Sequence, residues 1–275
     1  MTIENTQTIL HGASPVPAVG RQVGRFARRA VDLLFPARCP LCAGPAEGQT
    51  TTAPLCADCV PIVQQDRDRE ACPRCAASVA PYEVTDGRCR WCRRRRVRVR
   101  GTVRVGEYSR GVGELVRLFK YRGQERLGCS LGLWLADAAR GASWLDRVEA
   151  VVSVPTHWRR SLRWPVHAAD ALAAIVARDI RLPHLPVLHR IKAGPHQIGL
   201  SYLDRRRNVR GAFALRRGVA LHGARLLLVD DVKTTGATIN ECAKILRQGG
   251  AGEVYAAVLV TVPPDRARLN ASPGT

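Results

Sequence analysis

Eight cysteines near the start of the chain restrict its fold more than any other feature of the sequence. They form four C-x-x-C pairs within residues 39–92, and 13 residues separate the inner cysteines in each half of this block. The pattern repeats after 33 residues, and Pro40 and Pro73 repeat with it. A fixed period of this kind indicates one structural unit used twice. The candidate metal ligands are Cys39, Cys42, Cys56, Cys59, Cys72, Cys75, Cys89 and Cys92.

Two C-x-x-C pairs supply four thiolates, the ligand set of a tetrahedral zinc site with no open position. We therefore predict a double zinc ribbon with one or two structural Zn²⁺ ions. Sequential pairing would group the first four and the last four cysteines, crossed pairing would mix the halves, and both are left open. Disulfides are the alternative, but no secretory signal precedes the block, and a reducing compartment favours thiolates. The remaining Cys129 and Cys242 are expected to be small core residues on helices.

A second restrictive stretch is LLLVDDVKTTGAT at residues 226–238. Its apolar start predicts a buried parallel strand that ends at Asp230 and Asp231, and the residues after it have helical spacing. A loop of threonines and glycine therefore lies at a helix N-terminus, where free backbone N–H groups bind phosphate. Two carboxylates would repel that phosphate, so sugar hydroxyls or a divalent cation suit them better, as in a ribose 5-phosphate. The alternative is an N-capped helix beside a solvated pair of aspartates.

This stretch resembles the phosphoribosyl-pyrophosphate (PRPP) motif of type I phosphoribosyltransferases. The resemblance implies that Asp230 and Asp231 hold the ribose hydroxyls while the loop holds the 5-phosphate. It also implies phosphoribosyl transfer through an oxocarbenium-like transition state, which the aspartates would stabilise as catalytic groups. Mg²⁺ would be held largely by PRPP itself. The loop residues that would bind PRPP are Lys233, Thr234, Thr235, Gly236, Ala237 and Thr238.

Elsewhere in the second part of the chain, apolar strands alternate with amphipathic helices, which predicts a parallel sheet flanked by helices. Strands are expected near residues 103–108, 148–154 and 253–262. The strand at residues 148–154 leads into a basic loop, which in a phosphoribosyltransferase would meet the pyrophosphate of PRPP. The loop residues in this hypothesis are Pro155, Arg159 and Arg160.

The order of segments resembles the ComF family, which joins a zinc ribbon to a phosphoribosyltransferase domain and is linked to competence and DNA uptake. Besides the cysteine block and the VDDV motif, the resemblance rests on KYRG at residues 120–123, VP at 154–155 and the run QIGLSYLDRRRNVRGAF at 197–213. It implies an α/β fold: a type I phosphoribosyltransferase-like sheet with a small N-terminal four-cysteine zinc-ribbon domain. One departure is RWPVH at residues 163–167, where the family usually has R-G-F-N-Q.

A net charge of +20 favours a polyanionic partner. The densest basic run is RRRRVRVR at residues 93–100, close to Trp91 in the cysteine block. This run is either a solvated linker or a contact for single-stranded DNA. The family resemblance adds a DNA-uptake helicase-type protein as a candidate partner.

Two classes of function compete, because no residue stands out as a general base for an acceptor. One is a phosphoribosyltransferase that binds PRPP with Mg²⁺ and transfers the phosphoribosyl group to an unidentified acceptor. The other is a non-catalytic protein that senses PRPP or a nucleotide and binds single-stranded DNA or a protein.

The chain divides into five predicted segments. They are a disordered start with a short amphipathic helix (1–38), the double zinc ribbon (39–92), an arginine-rich linker (93–102), the phosphoribosyltransferase domain (103–262) and a tail (263–275). Since no apolar run reaches the ~18 residues of a transmembrane helix, and no secretory signal is seen, we expect a cytoplasmic protein.

Overall fold

A computed structural model describes residues 38–46, 55–80, 82–122, 125–155, 168–192 and 207–263. The predicted N-terminal helix, Arg159, Arg160 and the tail after residue 263 lie outside these residues. The division into five segments therefore stays a prediction.

Both halves of the cysteine block contain the same turn. The Ala43 N–H donates to Cys39 O in the first half, and the Ala76 N–H donates to Cys72 O in the second, at 2.8 and 2.7 Å. Ala43 and Ala76 also share a left-handed backbone, with φ of 61° and 53°. The backbone therefore repeats with the 33-residue period of the sequence.

Short elements complete the two ribbons. The first ribbon leads into helix α1 (Cys59–Arg67), and the second contains the hairpin strands β1 (Val84–Thr85) and β2 (Arg88–Cys89), followed by helix α2 (Arg90–Arg94). Among the described residues, the buried cluster of the second ribbon consists of its four cysteines and Ala77. A core this small indicates that bound metal would supply most of the folding free energy.

The central sheet has four parallel strands, as the sequence predicted. They are β3 (Thr102–Glu107), β4 (Ala150–Ser153), β7 (Arg225–Lys233) and β8 (Glu253–Thr261), in the spatial order β3, β8, β7, β4. A small antiparallel pair, β5 (Leu188–Arg190) and β6 (Phe213–Leu215), lies between β4 and β7 in the chain.

Helices cover both faces of the sheet. Helices α3 (Val112–Arg122), α4 (Glu125–Arg140) and α5 (Ala168–Asp179) precede β7, and α6 (Ala237–Gln248) follows it. Leu227 and Val229 of β7 pack in one core with α3, α4 and α5, whereas Leu226 and Leu228 pack in another with α6. Burial on both faces explains why the strand is a continuous apolar run. None of the helices in the described part of the chain is long and apolar enough to cross a bilayer.

Arg104 on β3 joins the second ribbon to the edge of the sheet. Its buried guanidinium donates to Ala76 O at 3.0 Å and Ser78 Oγ at 2.8 Å, both in the ribbon, and to Thr261 Oγ1 on β8 at 2.5 Å. A buried charge needs such acceptors to compensate its lost hydration. The second ribbon is therefore bonded to the sheet directly and not only through the linker.

Candidate functional site

Strand β7 carries the acidic pair and ends later than the sequence predicted. Parallel pairing with β8 continues to Lys233, which lies opposite Thr261, and the Val262 N–H donates to Lys233 O at 2.9 Å. These long-range bonds extend the strand beyond the aspartates, so the loop is reduced to residues 234–236. Since α6 begins at residue 237, the predicted order of strand, loop and helix is correct.

Gly236 leaves the N-terminus of α6 open. It occupies the N-cap position with φ 73°, a left-handed conformation that favours glycine. Because glycine has no side chain, it offers no oxygen to the first N–H groups of the helix. Thr235 Oγ1 accepts from the Ala237 N–H at 3.3 Å, and Thr234 and Thr238 are partly exposed beside it. An open helix N-terminus at the carboxyl edge of a parallel sheet is suited to a phosphate group.

Asp230 and Asp231 point to opposite faces of the sheet, since side chains alternate along a strand. Leu226 and Leu228 share the face of Asp230 and pack in the same core as α6, so the Asp230 carboxyl group lies on the α6 side. The Asp231 Oδ2 atom lies 2.6 Å from the Nζ atom of Lys120 on α3. The two aspartates were predicted to hold the hydroxyls of one ribose together. In the structure Asp230 is buried, whereas Asp231 is partly exposed and pairs with Lys120.

Asp230 keeps its proton over a wide pH range. Burial raises its pKa to about 8, and the charge of Asp231 acts in the same direction. The charge of Lys120 and a hydrogen bond from the Asp231 N–H, 2.9 Å long, oppose this shift without reversing it. Near neutral pH the Asp230 carboxyl group is therefore largely protonated, and Lys120 pairs with its neighbour Asp231.

Lys120 belongs to this site, although the sequence analysis assigned it no role. Burial alone would lower the pKa of Lys120, but the charge of Asp231 and the hydrogen bond to it outweigh burial and raise it. The side chains of Lys120 and Asp231 are only 27% and 19% exposed, so water screens their ion pair weakly. The signal available in the sequence was its place in KYRG, next to the exposed Tyr121.

The eight cysteines form two compact groups, one in each ribbon. Within each group the sulfur atoms lie within 4.8 Å of one another. Sequential pairing is therefore correct, and crossed pairing is excluded. Each group offers four thiol ligands and suits a structural Zn²⁺ ion. The groups are Cys39, Cys42, Cys56 and Cys59, and Cys72, Cys75, Cys89 and Cys92.

The other two cysteines differ from each other. Cys242 is buried on α6, as predicted, whereas Cys129 is exposed on α4. The prediction for Cys129 is wrong because α4 buries Leu127, Leu131 and Leu135 on one face, and Cys129 lies on the opposite side.

A cleft of about 630 Å³, open to solvent, separates the second ribbon from the loop after β7. Trp91 and Cys92 line it on the ribbon side, and Lys233 and Gly236 line it on the loop side. The Lys233 Cε atom lies 3.2 Å from the point where a Cβ on Gly236 would stand. Burial lowers the pKa of Lys233, and Cys75 lines the same cleft. The Lys233 ammonium is therefore close to both the loop and the second cysteine group.

The start of the basic loop lies beside β7. The Val154 N–H donates to Val229 O at 2.9 Å, and Pro155 follows as the last described residue before the gap. The loop thus leaves the sheet next to the strand that carries the acidic pair. Arg159 and Arg160 lie outside the described residues, and their contact with pyrophosphate stays a prediction.

Known proteins match both parts of the chain. Residues 30–95 match the family model described as a double zinc ribbon domain. Competence protein F of Haemophilus influenzae is 30% identical over 210 residues, which cover 73% of this chain and 87% of that protein. Orotate phosphoribosyltransferase of Phenylobacterium zucineum is 40% identical over 65 residues, or 23% of this chain and 31% of the enzyme. A glutamine PRPP amidotransferase structure from B. subtilis matches with a TM-score of 0.32 and 22% identity, over 47% of this chain and 25% of that one.

Proposed function

Because the chain belongs to the competence protein F (ComF) family, we propose that it binds PRPP–Mg²⁺ and transfers the phosphoribosyl group to an acceptor. One observation carries this proposal. The open N-terminus of α6 at Gly236 lies one short loop from the Asp231–Lys120 pair, at the carboxyl edge of a parallel sheet. A phosphate site at the start of α6 and a carboxylate near the end of β7 suit the two ends of a ribose 5-phosphate. The short match to orotate phosphoribosyltransferase supports the same ligand.

Each part of the ligand has a candidate contact. The 5-phosphate would take N–H groups from the loop and the first turn of α6, together with the hydroxyls of Thr234, Thr235 and Thr238. Asp231 would accept hydrogen bonds from the ribose hydroxyls, which then compete with Lys120 for its oxygens. Among the described residues, clusters of three or more metal-type ligands occur only in the ribbons. We therefore assign Mg²⁺ mainly to the phosphates of PRPP.

Departure of pyrophosphate would leave positive charge on the ribose ring. Asp231 is held in place by its ion pair with Lys120, so it would stabilise that charge from a fixed position. The basic loop after Pro155, with Arg159 and Arg160, would hold the leaving pyrophosphate.

Calorimetric titration with PRPP–Mg²⁺ is expected to show binding to the parent protein and a 10- to 100-fold weaker affinity for Asp231→Asn. The loss follows from the charged acceptor that the ribose hydroxyls would lose, roughly 1.5–3 kcal/mol. Asp137→Asn, an exposed aspartate on α4 that pairs with Arg140, is the matched control and should bind as the parent does. Equal affinities for parent and Asp231→Asn would contradict the assignment of this site. Pyrophosphate release with a panel of nucleobases then separates a transferase from a PRPP sensor.

A second candidate function is contact with single-stranded DNA through α2. The guanidinium groups of Arg90 and Arg95 lie 4.8 and 5.4 Å from the centre of the Trp91 ring, and Arg93 and Arg94 are exposed on the same helix. Clustered arginines beside an aromatic ring suit a nucleic-acid strand. A DNA-uptake helicase-type protein stays a proposal that the family alone supports.

We expect Arg93→Gln with Arg94→Gln to weaken binding of a single-stranded oligonucleotide and to make it less sensitive to salt. Each lost phosphate contact should lower the slope of log affinity against log salt by about 0.7. Fluorescence anisotropy at several salt concentrations measures the slope. The control is the double variant Arg216→Gln/Arg217→Gln, which is far from the ribbon in sequence. An affinity of the parent that does not change with salt would contradict this function.

A further inference from the structure

We infer that the first cysteine group positions Lys120 at the candidate site, and that Asp66 is the residue through which it does so. The effect of Lys120 on a ligand rests on the proposed function, whereas its position can be measured without any ligand. The connection runs from Cys59 along α1 to Asp66, and from there along α3 to Lys120.

Asp66 is a buried carboxylate at the end of α1 that caps another helix. It is only 5% exposed. Its Oδ2 atom accepts from the N–H of Val112, the first residue of α3, at 3.1 Å, and also from the hydroxyl of Ser109. Ser109 Oγ in turn accepts from the Gly111 N–H at 3.3 Å. A carboxylate here satisfies a helix N–H group that would otherwise lack a partner, and it interacts favourably with the helix dipole.

Helix α1 is in close contact with β3 and with the segment that leads into α3. A Cβ on Gly111 would collide with the Asp66 carboxylate and would lie 3.1 Å from Ile62 O. A Cβ on Gly106 would lie 3.3 Å from Asp66 O. Val63 of α1 is buried in the same core as the first residues of α3. Because packed interiors transmit displacement, a movement of α1 would move the start of α3.

Helix α3 carries that position to the acidic pair. Leu115, Val116 and Phe119 are fully buried, which fixes the rotation of the helix about its axis. Lys120 follows Phe119 directly, and its Nζ atom lies 2.6 Å from Asp231 Oδ2. A tilt or partial unwinding of α3 at its start would therefore lengthen this ion pair.

The first cysteine group fixes the other end of the connection. Cys59 is both a member of this group and the first residue of α1. A tetrahedral ion bound by four sulfur atoms would hold the start of α1 in one orientation. The first ribbon thus helps to fix the position of Lys120 at the candidate site. Asp66 is a positioning residue in this connection and not a catalytic one.

Chemical labelling of lysine tests the inference in the absence of ligand. Reductive methylation followed by mass spectrometry should label Lys120 slowly in the parent, and about tenfold faster in Asp66→Ala, the equivalent of ~1.4 kcal/mol. Asp66→Asn should stay close to the parent, because its amide oxygen can still accept from the Val112 N–H. Lys192, which is exposed, serves as the internal reference for labelling. Asp68→Ala is the matched control, since Asp68 follows the same helix and its side chain accepts from Gln64 Nε2 in an exposed pair.

The results separate this inference from the proposed function. Unchanged labelling of Lys120 in Asp66→Ala, with zinc content equal to the parent, would overturn the inference even if PRPP binds. Faster labelling in a protein that does not bind PRPP would sustain the positioning and reject the proposed ligand. If both hold, Asp66→Ala should also lower the affinity for PRPP–Mg²⁺ by about tenfold, whereas Asp66→Asn and Asp68→Ala should not.

Discussion

Replacing Cys72 by serine is expected to lower the zinc content of the purified protein from two ions per chain to one, and to unfold the second ribbon. Cys72 is fully buried among the other three sulfur atoms of its group. Because this ribbon has so small an apolar core, the ~10–16 kcal/mol typical of zinc binding in such domains would be most of its folding free energy. Metal analysis by mass spectrometry measures the zinc, and limited proteolysis reports the unfolding.

Cys129→Ser is the control for this change. Cys129 is exposed on α4 and lies outside both groups, so its replacement should leave two zinc ions per chain. A Cys72→Ser protein that retains both ions in stoichiometric amount would show that the second group is not a four-thiolate site.

The second large effect concerns Asp230 and pH. In the folded chain burial raises the pKa of Asp230 from its ordinary value of 3.8 to about 8. The stability that this group contributes is fully present below pH 3.8 and is lost as the pH rises through about 8. Within that window the slope approaches ~1.4 kcal/mol per pH unit, so the total is on the order of several kcal/mol. Asparagine cannot ionise, and Asp230→Asn should lose this dependence.

Urea unfolding at several pH values tests this expectation. Relative to the parent, Asp230→Asn should gain stability from pH 5 to about pH 8, should gain little above that, and should be the more stable protein at pH 9. Asp146→Asn, which replaces an exposed aspartate before β4, should follow the parent at every pH. Parallel curves for the parent and Asp230→Asn would mean that Asp230 is ionised in the folded protein. An aspartate kept at such a cost in a candidate site is typical of residues that serve function more than stability.

Local sequence patterns were sufficient where the structure depends on short spacings. The 33-residue period predicted two equal ribbons, and the run from Leu226 to Thr238 predicted a strand, a loop and a helix. The ribbon turns and the helix arise from contacts within a few residues, which spacing encodes directly. The strand depends on distant neighbours, but its burial on both faces leaves a continuous apolar run in the sequence. The grouping of the cysteines was different, because sequential and crossed pairing have the same spacing and only the folded backbone distinguishes them.

Contacts between distant residues could not be predicted in this way. The ion pair of Lys120 with Asp231 joins α3 to β7, and no local period relates the two residues. The opposite orientation of the two aspartates was also not predicted, because the strand was expected to end at Asp231. Since β8 extends β7 to Lys233, the alternation of a strand also applies to Asp230 and Asp231, and it separates them onto opposite faces.

The pairing of β3 with β8 has a consequence for synthesis on the ribosome. β3 lies at the edge of the sheet, and its only neighbour in the sheet is the last strand of the described chain. The Thr261 hydroxyl that accepts from Arg104 also belongs to that last strand. All eight ribbon cysteines therefore emerge, and can bind metal, long before β3 can gain its ladder. During that interval the nascent chain exposes an unpaired strand edge, a known route to aggregation.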